Sequence, residues 1–145
     1  MSHVSKFDCQ VTDLEALKKA AEDCGLELVE NQKTYKWYGR SVGDYPIPAG
    51  FKESDLGKCD HALRIPGNRE AYEIGVVKSK TGTGYELLWD FWAGGHGLTA
   101  KVGQSGDRLK QAYQVRHTER HWQRKGCRTQ VIQRQDGFVE LKVRG

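Results

Sequence analysis

The sequence predicts an α+β fold. It is a two-layer domain whose curved antiparallel sheet of about six to eight strands carries two helices on one face. Three observations predict it. Two segments, near residues 12–24 and 105–125, place apolar residues at helical spacing, and each stops at a glycine. Short runs of β-branched and aromatic residues, separated by turn residues, fill most of the rest. The chain has 145 residues, 37% of them hydrophobic, with 4 Trp, 6 Tyr and 4 Phe, which suits one core and a single domain over 1–145.

The elements follow in order. Val4 to Val11 alternates, with Phe7, Cys9 and Val11 facing inward as on a half-buried strand. Thr12 or Asp13 caps the first helix, with Glu15 completing a capping box to Thr12. Leu14, Leu17, Ala20 and Ala21 form its apolar side, and Gly25 ends it. Residues 26–30 read as a strand, with residues 34–38 as its hairpin partner across Asn31-Gln32-Lys33. Residues 41–58 read as a long ordered loop. Residues 61–65, 71–78 and 85–92 read as strands, the last two joined around residues 79–84.

The loop Ala93-Gly94-Gly95-His96-Gly97 follows. A second helix then runs from Ser105 or Gly106 to Lys125, with Ser105 as its cap and Gly126 as its stop. Residues 127–134 and 138–143 form a terminal hairpin around Asp136-Gly137. Opening and close both read strand, helix, glycine, strand, turn, strand. Two β-α-β-β units in one sheet would account for this, as would the commonness of helix–glycine–hairpin punctuation.

Composition excludes several classes. No apolar run approaches the roughly 18 residues that span a bilayer, and the first residues lack a signal-peptide core. No membrane partner is therefore expected, and a cytoplasmic setting is. The four cysteines, at 9, 24, 59 and 127, lack metal or redox spacing and read as reduced thiols. Net charge is +4, distributed as −3 over residues 1–60, 0 over 61–100 and +7 over 101–145. The last third therefore predicts an anionic partner.

Met1-Ser2-His3, the run from Asp13 to Ala20, Tyr72-Glu73-Ile74-Gly75, Tyr85-Glu86-Leu87, Asp90-Phe91-Trp92, Tyr113 and Gly126 form a set of landmarks along the chain. Together they resemble a family of unknown function, a hypothetical plastid reading frame with cyanobacterial and bacteriophage members. Residues 35–60 stand apart from this resemblance as an insertion, a hairpin plus a long loop. The resemblance implies a small α+β fold in a bacterial, phage or plastid-stroma setting and carries no catalytic role.

The candidate ligand-binding residues are Trp92, His96, Lys110, Arg116, His117, Arg120, His121 and Arg124. On a helical projection Lys110, Gln114, His117, His121, Arg124 and Lys125 share one side, with Arg116, Arg120 and Arg128 nearby. Guanidinium and ammonium groups suit phosphate, although a solvated helix face explains the same pattern. Trp92 beside a glycine-rich loop offers a stacking surface, and His96 at its tip can bind an anion; a tight connection is the plainer alternative. His117 and His121, four residues apart, can share a metal but lack a third ligand at diagnostic spacing, so no metal and no cofactor are assigned. Lys80-Thr81-Gly82-Thr83-Gly84 has the letters of a phosphate loop in the wrong order and place. The stretch Gly103-Gln104-Ser105-Gly106-Asp107 leads into the second helix, where free N–H groups can receive phosphate against the repulsion of Asp107.

These residues favour binding over catalysis. The expected function is a non-enzymatic binder of an anionic, nucleotide-like ligand. One form would be a phage-type sponge sequestering an immune-signalling nucleotide. Alternatives are RNA or single-stranded DNA binding through the same surface, metal-assisted hydrolysis by the helix histidines, and a structural role in an assembly. Trp37 and Tyr38, exposed on an edge hairpin, would support a homodimer.

Overall fold

The computed structural model describes residues 3–41, 43, 45–80 and 82–145. Met1, Ser2 and Thr81, which figure in the sequence reading, lie outside the described residues. The fold is α+β. Five strands form one open antiparallel sheet: β1 (Val4–Val11), β2 (Glu27–Glu30), β3 (His61–Arg64), β4 (Ile74–Lys78) and β5 (Tyr85–Asp90), in the order β1-β5-β4-β3-β2. Among the described residues β6 (Arg128–Gln133) and β7 (Val139–Arg144) pair only with each other. The helices are α1 (Leu14–Asp23), the short α2 (Leu98–Val102) and α3 (Asp107–Arg124).

Alternation in the strands sends side chains to two covered faces. Leu63, Ile74, Val76, Leu87 and Trp89 join Leu17, Ala20, Leu109, Ala112 and Tyr113 in the core under the helices. Ala62 and Leu88 point the other way and pack with Tyr35, Phe51 and Cys59. The segment between β2 and β3 therefore forms a third layer over the sheet, where the sequence predicted two layers. Gly75 makes the close approach possible: a Cβ there would lie 2.3 Å from the Tyr35 ring.

Asp13 caps α1, accepting a hydrogen bond from the Ala16 N–H at 3.2 Å; the box between Thr12 and Glu15 does not form. The Tyr113 hydroxyl instead accepts the Thr12 and Asp13 N–H groups at 2.9 and 3.2 Å, tying the entry of α1 to α3. Gly106 precedes α3 without a side-chain cap, so Ser105 does not cap it. Gly25 and Gly126, both at positive φ, follow the two long helices as predicted.

Residues 34–38 do not form a hairpin with β2. β2 pairs with β3, and the Asn31 N–H bonds His61 Nδ1 at 2.9 Å where that ladder ends. The chain then crosses the sheet, held by Tyr35 N–H to Gly57 O and Cys59 N–H to Lys33 O, each 2.9 Å. Burial of Tyr35 outweighs the strand pattern here. Trp37 is half-buried against Gly57, while Tyr38 is 38% exposed. The edge hairpin that motivated a homodimer is therefore not formed.

The terminal hairpin also departs from a duplicated unit. β5 already has β1 and β4 as neighbours, so β6 cannot enter beside it. Instead, Gln111 bonds both the N–H and the C=O of Val139, at 3.2 and 2.7 Å, and Val139 is buried in the helix-side core.

Candidate functional site

Three backbone irregularities meet at the free edge of β1. The ladder between β1 and β5 slips between Lys6 and Gln10, a bulge that bends the edge strand. Beyond β5, Ala93, Gly94, Gly95 and His96 all have φ between 51° and 65°, one turn of left-handed helix. Ser105 has φ 55°. For non-glycine residues this conformation costs roughly 1–2 kcal/mol each. Such strain persists only where its surroundings hold it, and it concentrates at functional sites.

The turn is held firmly. Asp90 is fully buried, and its carboxylate accepts three backbone N–H groups. Oδ1 takes those of His3 and Trp92 at 3.0 Å, and Oδ2 takes that of Tyr38 at 3.1 Å. The Tyr72 N–H donates to Gly95 O at 2.9 Å, and the Tyr72 ring meets His96 edge-on at 4.6 Å.

A cavity of about 580 Å³ opens between the bulge and the two strained segments. Phe7, Trp89, Phe91 and Tyr45 supply aromatic walls. Ser5, Thr99, Gln104, Ser105 and the backbone of Gly94 supply hydrogen-bonding groups. Lys6 and Asp8 stand among the lining residues. Lys6 reaches Glu86 at 3.4 Å, and Lys110 reaches Asp8 at 3.2 Å. Both pairs are solvent-accessible, and such pairs exchange partners at little cost.

The eight candidate residues are not gathered into one site, and none of them lines this cavity. Trp92 is 36% exposed, its ring 5.4 Å from that of His3. His96 is exposed against Tyr72. His117, His121 and Arg124 are exposed on α3, as the helical projection predicted. Arg116 and Arg120 face α1 instead. Arg116 donates two hydrogen bonds to Asp23 at 2.7 Å and one to Glu119 at 3.1 Å. Arg120 bonds Asp13 at 2.6 Å. Glu119 also accepts from the Thr129 hydroxyl at 3.0 Å, bringing β6 into the network. The arginines thus clamp α1 to α3 and are not free to hold phosphate.

Burial opposes the charge on Asp13. The Ala16 N–H and Arg120 outweigh it, and the carboxyl pKa falls below the ordinary 3.8. Folding therefore favours the ionised form. This contribution is complete above the ordinary value and is lost as pH falls through the lowered one. In acid titrations of stability, the advantage of the native chain over Asp13→Asn, which retains a capping oxygen, is expected to shrink as pH drops below 3.8.

The thiols are free, and burial pushes those of Cys24 and Cys59 up to about 12, so both are protonated at neutral pH. Among the described residues no group of three His, Cys, Asp or Glu is placed to hold a metal ion. Among them too, no helix is long and apolar enough to cross a membrane.

The sequence pointed to the glycine-rich loop around Gly94 and to the Gln104-Ser105 stretch without joining them. The alternation that turned Phe7 inward was the available signal for the cavity wall. Comparison of the chain with protein-family models, curated proteins and solved structures gives no match.

Proposed function

We propose that the chain binds a small anionic, nucleotide-like ligand in the cavity at the free edge of β1. The aromatic-walled cavity framed by strained backbone carries this reading. Its volume lies within the roughly 300–1,000 Å³ of small-molecule sites, and its lining is mixed in the way such sites are. A planar base fits beside Tyr45 and Phe91, whose rings meet at 84° with centroids 5.2 Å apart. Gln104, Ser105 and Thr99 can read its polar edge. Lys6 and Lys110, released from Glu86 and Asp8, can meet a phosphate at the rim.

The test is a titration with nucleoside mono-, di- and cyclic phosphates, followed by tryptophan fluorescence. Trp89 is buried in the cavity wall and reports occupancy. Saturable quenching by one member of the panel is expected. Tyr45 is 39% exposed, so Tyr45→Ala should lower stability only by the ~0.5–1.5 kcal/mol of its ring contact with Phe91 and leave the fold cooperative. It should weaken binding about 5- to 150-fold, the range of a lost base-stacking partner. Absence of quenching throughout the panel contradicts the proposal.

A further inference from the structure

The charge on the last third of the chain is unevenly paired. Lys110, Arg116, Arg120 and Arg134 each face an acidic side chain. Arg124, Lys125, Arg128, Lys142 and Arg144 make no ion pair among the described residues, and all five are exposed.

The ladder between β6 and β7 places these unpaired cations together. Arg128 stands directly opposite Arg144, and Gln130 opposite Lys142. By alternation these four share one face of the ribbon with Ile132 and Glu140. The other face carries Thr129, which bonds Glu119, and buried Val139, so it is the face packed on α3. The cationic face is therefore the outward one. Arg124 and Lys125 end α3 just before β6 begins. Like charges directly opposite each other in a ladder destabilise it, and no acid lies between them to offset this. Glu140 lies towards the turn and is approached by Arg134 at 3.9 Å.

We infer that the outer face of the β6–β7 ribbon, with the end of α3, is a nucleic-acid-binding surface that engages the phosphate backbone. A two-stranded ribbon is narrow enough for a duplex major groove, and Arg, Lys and Gln are donors suited to phosphate and base edges. Ile132 is the one apolar residue on the outward face, so that face lacks the apolar surface that inserts into a lipid headgroup layer. This surface is distinct from the cavity and stands or falls separately from it.

The experiment is fluorescence anisotropy of the full chain with a labelled single strand and its duplex, as salt rises from about 50 to 200 mM. With all five cations engaged, the log–log slope is about −3.5 for the single strand and −4.5 for the duplex, roughly a 100- to 500-fold loss across that range. The pair Arg128→Gln and Arg144→Gln should reduce the slope's magnitude by about 1.5–2. Its circular dichroism should not change, since it removes a like-charge contact. Lys142→Gln alone should reduce the slope by about 1, giving an independent check. Tyr45→Ala should leave the slope intact even if it abolishes ligand binding in the cavity. Three results would overturn the inference: affinity that does not vary with salt, a slope unchanged in both variants, or binding to phosphatidylserine vesicles without binding to either oligonucleotide.

Discussion

Replacing Asp90 by alanine is expected to cost about 4–5 kcal/mol, enough to unfold a marginal domain. The carboxylate is fully buried and no cation pairs with it among the described residues. Among the described residues its charge is held by the N–H groups of His3, Tyr38 and Trp92 alone. Hydrogen bonds to a charged acceptor contribute about 1.5–3 kcal/mol each, and three at the lower end give the figure stated. These donors belong to the lead-in to β1, the layer over the sheet and the left-handed turn. Losing the acceptor therefore loosens three segments at once. Asp90→Asn keeps one oxygen but turns an NH2 group towards a donor, so an intermediate loss of about 2–3 kcal/mol is expected. Urea denaturation monitored by circular dichroism measures both. A loss below about 1 kcal/mol in Asp90→Ala would remove the carboxylate from this account.

Arg116→Ala is expected to cost about 3–5 kcal/mol by the same measurement. The side chains of Asp23 and Glu119 are each 7% exposed, and removing the guanidinium leaves two buried carboxylates without their cation. Arg116→Lys keeps the charge but cannot make the two-pronged contact with Asp23, so a smaller loss of about 1–2 kcal/mol is expected. The cost comes from stranding the acids, so removing Asp23 as well should recover part of it. Pairing Arg116→Met with Asp23→Leu should be markedly less destabilising than Arg116→Ala. If the double variant is as unstable as the single one, the ion pair is not the source of the loss. The same residues explain why the basic face of α3 is weaker than its sequence suggests. Two of its arginines are spent between helices.

Local patterns were legible where local physics decided the outcome. The first and last helices, their glycine stops, the five strands of the sheet and the terminal hairpin all follow from periodicity and turn residues. The path of residues 31–60 was not legible, because burial of Tyr35 over Gly75 depends on a strand some 40 residues away. The separation of the terminal hairpin from the sheet was likewise a matter of occupied edges, which no segment shows by itself. For the site, the sequence located the cationic third but not which charges were free. Arg116 finds Asp23 at the end of α1, 93 residues earlier, and Arg120 finds Asp13 at its N-cap, 107 residues earlier, while Arg128 and Arg144 find each other across a ladder. The cavity was hidden for a related reason. It joins a bulge, a left-handed turn and Ser105, and a propensity reading treats each as a mere connection.

Occupancy of the cavity is tested by a backbone amide NMR titration of the native chain with the nucleotide that quenches tryptophan fluorescence. Saturable shifts are expected at Ser5 to Asp8, Gly94, Thr99, Gln104 and Ser105, the residues around the cavity. Shifts confined to Arg124, Arg128 and Arg144, with the cavity amides unmoved, would contradict that occupancy.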